Sequence, residues 1–260
     1  MPEICETTGI VLRKFDYSNT SLIFHLFSGA EGMIHILARG AKSPKSAFRG
    51  RIELFHELRC HYLKTGSTSL YTLKECTPLT RCKSATNPDV FFLCSFIADC
   101  ICSFPWESGE TIEIYHVLKK TLDALEHTEQ DKYTTIILYY SCRVLSVLGY
   151  MPDTVSCTRS GMPLAGQIYP IFEPVPGFAL RSSLTITEQN RYTTSLDRDF
   201  LSAFESVIAM ETMDQFLSIS YTETVITKLA SICIFFLNGL SDRKMRSFEL
   251  LQKTGIISSL

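Results

Sequence analysis

The sequence contains no Gly-x-x-x-x-Gly-Lys-Ser/Thr phosphate loop, no Gly-x-Gly-x-x-Gly run after a strand, no Gly-x-Ser-x-Gly elbow and no His-Glu-x-x-His helix. Those absences remove the common motif-borne routes to nucleotide-, dinucleotide-, acyl-enzyme- and zinc-dependent catalysis. The six histidines stand apart from one another; His25 and His35, in strand-like segments, read as partly buried sheet residues and not as bases. Long apolar runs are also missing. The longest, 90–104, is interrupted by Asp99 and falls short of the ~18–20 residues that cross a bilayer. No membrane span is therefore expected, and Glu3 and Glu6 with no apolar run behind them argue against a signal peptide. Internal repeats and low-complexity segments are absent too.

What is present suits a folded core. Of 260 residues, 45% are hydrophobic and 20% charged, proportions of a globular chain. The ten cysteines lie in apolar company, where a free thiol behaves as a small hydrophobe; this reads as a reducing cytoplasm. The net charge of −2 conceals an asymmetry. Residues 1–85 hold 12 Lys/Arg against 7 Asp/Glu, and residues 86–260 hold 13 against 20. A basic N-terminal unit on an acidic body points to an anionic partner at one end.

Five short strand-like segments fill the first unit, at 8–15, 21–28, 33–38, 52–63 and 70–76, separated by turns every 8–12 residues. That spacing predicts a small five-stranded barrel of OB-fold size over residues 1–82. The pattern then changes. Asn87-Pro88-Asp89 is a helix start, and helices are expected at 90–104, 110–126, 131–148 and about 195–212, 221–239 and 242–253. Residues 83–260 thus read as a mostly α-helical domain. Inside it, residues 150–183 form an irregular Pro/Gly-rich insert with a short β-ribbon near 167–172. The fold class is α+β.

Between the third and fourth strands runs RGAKSPKSAFRGR, residues 39–51. Arg39, Lys42, Lys45, Arg49 and Arg51 occur there with no carboxylate between Glu31 and Glu53. Small residues and Pro44 prevent a helix, so the cations belong to a loop whose backbone N–H groups are expected to be open. Such a loop suits phosphates, because bound cations release counterions from nucleic acid. Arg13 and Lys14 add charge from the first strand, as do Arg59, Lys64 and Lys74 from later ones. Phe48, alone among polar neighbours, either stacks on a base or anchors the loop. Phe15, Tyr17, Tyr62 and Tyr71 are expected mostly in the core. No residue looks like a base-specific reader.

Together these residues resemble the bacterial recombination mediator family RecO. The opening Gly9-Ile-Val-Leu-Arg13 with Asp16-Tyr17 and the Leu26-Phe27-Ser28 strand end carry the likeness. So does Gly32 followed by Ala38-Arg39-Gly-Ala-Lys-x-Pro-Lys-Ser46 with Phe48, Gly50 and Leu54-Phe55 after it. Leu148-Gly-Tyr-x-Pro152 before Cys157 resembles the entry to the family's zinc module, and residues 241–248 its closing helix. The resemblance implies an N-terminal OB-fold and a non-enzymatic protein that binds single- and double-stranded DNA and anneals complementary strands. With RecR, it implies help in loading the RecA recombinase onto DNA coated by single-strand-binding protein (SSB), in a nucleoid-associated cytoplasmic setting. Arg243, Lys244 and Arg246 are the candidates for the acidic tail of a protein partner. Many members carry four zinc cysteines in the insert, whereas only Cys157 of that pattern is present here, so no zinc or other cofactor is expected. Two other readings stay open: a protein–protein adaptor working through the helical body, and an RNA-binding OB-fold protein or nucleic-acid hydrolase.

Overall fold

The computed structural model describes residues 3–64, 69–80, 87–191, 194–242 and 245–253. They divide into two compact units, Met1–Glu126 and His127–Leu260.

In the first unit, alternating apolar residues build β1 (Glu3–Asp16), β2 (Leu22–Ser28), β3 (Gly32–Ala38), β4 (Glu57–Lys64) and β5 (Leu70–Pro78). They close into a barrel in the order β1-β2-β3-β5-β4, with β4 returning to β1. Only the β3–β5 pair is parallel. This is the expected five-stranded OB-fold. Phe24 and Leu26 of β2, Ile34 and Ile36 of β3, and Leu58, Cys60 and Tyr62 of β4 point into one buried core. The alternation fails at one place in β1. Its pairing with β2 shifts between Val11 and Arg13, so Val11 lies in the core while Arg13 is partly exposed and bonded outside it. A bulge inserts one residue and reverses the faces beyond it.

The fourth strand begins later than its composition suggests. Residues 52–56 belong to the preceding loop, where Phe55 takes a left-handed backbone, φ 64°, and is buried. Its N–H bonds the Val11 carbonyl at 2.8 Å and Val11 N–H bonds the His56 carbonyl at 3.1 Å. Backbone bonds therefore tie the segment to β1 before ladder pairing starts.

Two helices complete this unit. α1 (Pro88–Ser103) has Asn87 as its cap, Oδ1 accepting from the N–H groups of Asp89 and Val90, with Pro88 at the position where a missing N–H costs nothing. α2 (Ser108–His127) follows. Arg13 Nη2 meets Asp99 Oδ1 of α1 at 3.1 Å. The buried carboxylate of Glu57 accepts from Tyr115 Oη at 2.8 Å and Lys119 Nζ at 2.7 Å, both on α2.

The second unit comprises α3 (Tyr133–Val147), the hairpin β6 (Ile168–Phe172) and β7 (Pro176–Leu180), α4 (Ile186–Arg191), α5 (Arg198–Ile208), α6 (Met213–Leu217), α7 (Glu223–Leu240) and α8 (Arg246–Lys253). The helix expected over about 195–212 is α5, and α6 is a further short helix beyond it. Thr212 and Gln215 form a reciprocal capping box that starts α6. Phe178 of β7 packs edge-on against Phe204 of α5 and Phe236 of α7, which fixes the hairpin to the helices. α7 is long and apolar enough to cross a membrane by length and composition, with mean hydropathy 1.4. The expectation that no stretch is long and apolar enough for a span, argued from residues 90–104 as the longest run, therefore needs correction. In this structure Leu229, Ile232, Cys233, Phe236 and Leu237 of α7 are buried in the unit's own core. Every cysteine among the described residues is free, and all but Cys5 and Cys102 are buried.

Candidate nucleic-acid interface

Residues 39–51 form a chain of tight turns. Ser43 N–H bonds Gly40 O at 3.0 Å, Ser46 bonds Ser43 at 3.0 Å, Arg49 bonds Ser46 at 3.3 Å and Arg51 bonds Phe48 at 3.1 Å. Gly40 and Gly50 take φ values of +67° and +68°, a conformation that a Cβ would strain. The expected row of open backbone N–H groups is thus corrected: these amides are spent on turns, because no helix or strand satisfies them. The start of the loop is fastened to the β1–β2 turn. Lys42 N–H bonds Thr20 O at 2.8 Å, and Gly40 N–H bonds Ser21 Oγ at 3.2 Å. The loop also seals the barrel, with Ala41 and Ile52 buried in the core cluster and Phe48 and Leu54 packed against it. Cations face outward while apolar residues between them face inward.

The cations fall into three groups. Arg39 and Lys45 are exposed and have no hydrogen-bond or ion-pair partner among the described residues. Arg49 and Arg51 each rest one nitrogen on a carbonyl, of Pro44 at 3.5 Å and Cys76 at 3.3 Å, leaving further donors of each guanidinium to point elsewhere. The others are committed to carboxylates. Lys42 pairs with Asp16 at 2.9 Å, Lys14 with Glu53 at 2.6 Å and Arg13 with Asp99 at 3.1 Å. Outside the loop, Arg59 pairs with Glu6 and Lys64 with Glu31. Within the loop, positive charge free of a carboxylate partner is therefore concentrated on Arg39, Lys45, Arg49 and Arg51, while Lys42 is paired with the exposed Asp16.

Phe48 is half-buried against the barrel core, its N–H on Ser46 Oγ at 3.2 Å; the loop-anchor alternative describes this placement. Tyr62 is fully buried. Phe15 and Tyr17 instead stand open, 47% and 60% exposed. Phe15 packs on His25 with ring centroids 5.0 Å apart, and His25 on His35 at 4.1 Å. Burial, followed by the nearby charges of His35 and Arg13, pushes the His25 imidazole down to about 4. Sequence reasoning missed this ring row. The visible signal is Phe15, His25 and His35 themselves, but their common face depends on the β1 bulge and on strand pairing.

Of the partner candidates, Arg243 and Lys244 lie outside the described residues, and Arg246 opens α8. The insert tests the zinc question. Cys157 Sγ accepts from Leu180 N–H at 3.4 Å and lies 3.5 Å from Ser183 Oγ. One thiol beside a hydroxyl is a poor zinc donor set, since structural sites use four thiolate or imidazole ligands. Among the described residues no group of three or more His, Cys, Asp or Glu is placed to hold a metal, so this site does not fit zinc. A guanidinium occupies the neighbourhood instead. Arg159 reaches Glu188 at 2.6 and 2.9 Å, the Ser183 carbonyl at 3.1 Å, and Glu173 through Nε at 3.1 Å and through Nη2. These bonds join the knuckle at 157–161 to the β6–β7 turn and to α4, and Arg159 holds the Glu188 carboxyl down at about 2.

Residues 1–81 match the family described as Recombination protein O N terminal, and residues 106–247 match Recombination protein O C terminal. The DNA repair protein RecO of Chlorobium limicola is 26% identical over 164 residues, 62% of this chain and 62% of that protein. That of Syntrophotalea carbinolica is 25% identical over 160 residues, 61% of each. That of Idiomarina loihiensis is 26% identical over 175 residues, 67% of this chain and 73% of the relative. The chain thus spans 62% and 61% of the length of the first two relatives. A superposition on asparaginyl-tRNA synthetase of Entamoeba histolytica gives a TM-score of 0.27 at 11% identity, over 70% of this chain and 40% of that one, and carries no argument.

Proposed function

Since the chain belongs to the recombination protein O family, we propose that it is a non-enzymatic mediator of DNA repair and recombination that binds single- and double-stranded DNA on its OB-fold. The observation that carries this reading is the turn-built loop whose cations face outward from a barrel it also seals. A loop fixed at both ends holds Arg39, Lys42, Lys45, Arg49 and Arg51 in place, so little ordering entropy is lost when phosphates arrive. Annealing then needs no catalytic group: two strands held close together, with their charge masked, meet at high effective concentration. The mediator would act with RecR and SSB in loading RecA, in the cytoplasm and without a bound cofactor. Arg243, Lys244 and Arg246 remain the candidates for an acidic partner tail.

Binding of labelled single-stranded DNA across a salt series tests this directly. If all five loop cations meet phosphates, log K falls against log salt with a slope of about −3.5. Lys42→Glu/Lys45→Glu is expected to weaken binding and make the slope shallower by about 1.4. Equal binding and slope in wild type and variant would move the DNA site off the loop. The acidic balance of residues 86–260 supports a companion role as adaptor, checked by co-elution of the full chain with RecR or SSB.

A further inference from the structure

The outer face of the barrel has an open stretch that phosphate binding leaves unused. Pairing sets Arg13 of β1 opposite His25 of β2, and His25 opposite His35 of β3. Phe15, two residues further along β1, reaches diagonally onto His25. The result is a row of three rings crossing three strands, tilted to one another by 54° and 32°. Tyr17 follows in the adjoining turn, which the basic loop grips through Lys42 and Gly40. Phe24, Phe27 and Tyr62 are fully buried, and Phe48 and Tyr71 pack against the barrel core. Phe15 and Tyr17 are the large rings left open, and they sit beside the cationic loop.

We propose that Phe15 and Tyr17, backed by His25 and His35, form a base-stacking platform that makes this interface prefer single-stranded DNA over duplex. The inference rests on the DNA-binding reading above and adds the groups that distinguish one form of DNA from the other. Stacking needs an unpaired base with a free face; a duplex keeps its bases against one another and offers the protein phosphates and groove edges. The charges fit this division. Arg13 and Lys14, beside Phe15 on β1, and Lys42, which bonds Asp16, are each paired with a carboxylate, so attraction at the row comes from ring faces. Arg39 and Lys45 carry unpaired charge on the loop. A neutral His25, its proton affinity lowered by burial, supports Phe15 as a flat apolar ring. The His25–His35 contact stiffens the row so that Phe15 need not be ordered by the incoming base.

The test uses the full chain with fluorescein-labelled oligothymidylate and a blunt duplex of mixed sequence, each across a salt series. Phe15→Ala is expected to lose about tenfold in affinity for the oligothymidylate, with its salt slope and duplex affinity unchanged. Phe15→Trp is expected to keep the affinity, and the new indole's fluorescence should be quenched by the oligothymidylate and not by the duplex. Lys42→Glu/Lys45→Glu should weaken both DNAs and flatten both slopes. Equal losses for both DNAs in Phe15→Ala would overturn the platform, as would an indole in Phe15→Trp that ignores bound oligothymidylate. Wild-type binding to neither DNA would overturn the underlying reading as well. A lysine variant that binds like wild type, with the Phe15 effects intact, would move the phosphate site and leave the platform standing.

Discussion

At the scale of single residues, His25 shows how the barrel sets the chemistry of a side chain. Burial is the largest cause, with the charges of His35 and Arg13 behind it, and together they bring the imidazole from 6.5 to about 4. The folded chain therefore refuses a proton that the unfolded chain accepts below about pH 6.5. The associated stability is complete above that value, declines as pH falls towards about 4, and is flat below it. At 1.36 kcal/mol per unit the ceiling is about 3 kcal/mol, and partial solvent exposure reduces it. Urea unfolding at pH 7 and pH 4.5 is expected to show a larger fall in midpoint for wild type than for His25→Phe. An identical fall in both would place the acid sensitivity elsewhere.

At the scale of elements, an ion-pair clamp ties the insert together. Arg159 draws Glu173, Glu188 and the Ser183 carbonyl together, and its planar fork matches carboxylates better than an ammonium would. Chelators are expected to leave the insert's resistance to limited proteolysis unchanged. Arg159→Ala is expected to speed cleavage within 157–190 several-fold, and Arg159→Lys to do so partly. Rapid cleavage of wild type after chelation would show that a metal had been holding the insert. The basic loop obeys the same logic, since backbone turns and two buried apolar residues hold a highly charged segment rigid.

At the scale of the whole molecule, the barrel and its first two helices are expected to fold as one unit. Cutting after residue 82 would strip Glu57 of Tyr115 and Lys119, and Arg13 of Asp99. Hydrogen bonds to a charged group contribute about 1.5–3 kcal/mol each, a large share of a small domain's stability. A 1–126 fragment is expected to unfold cooperatively by circular dichroism and to bind single-stranded DNA. The 1–82 fragment is expected to be unfolded or aggregated; a stable, cooperative 1–82 barrel would show that the α2 contacts are dispensable.

Composition, alternation and turn spacing were enough to place the barrel, the helical region and the β-ribbon, because those signals are local: period-two burial, capping residues and glycine punctuation act within a few residues of chain. The cationic loop was legible for the same reason, as charge density is a property of the chain itself. Which cations remain unpaired was not legible, because Asp16, Glu53 and Asp99 reach Lys42, Lys14 and Arg13 across 26, 39 and 86 residues. Nor was the ring row, because the bulge beyond Val11 reverses the face on which Arg13 and Phe15 emerge, and strand pairing alone aligns His25 with His35. Local patterns fixed the elements; long-range register and burial decided which side chains were left to meet a ligand.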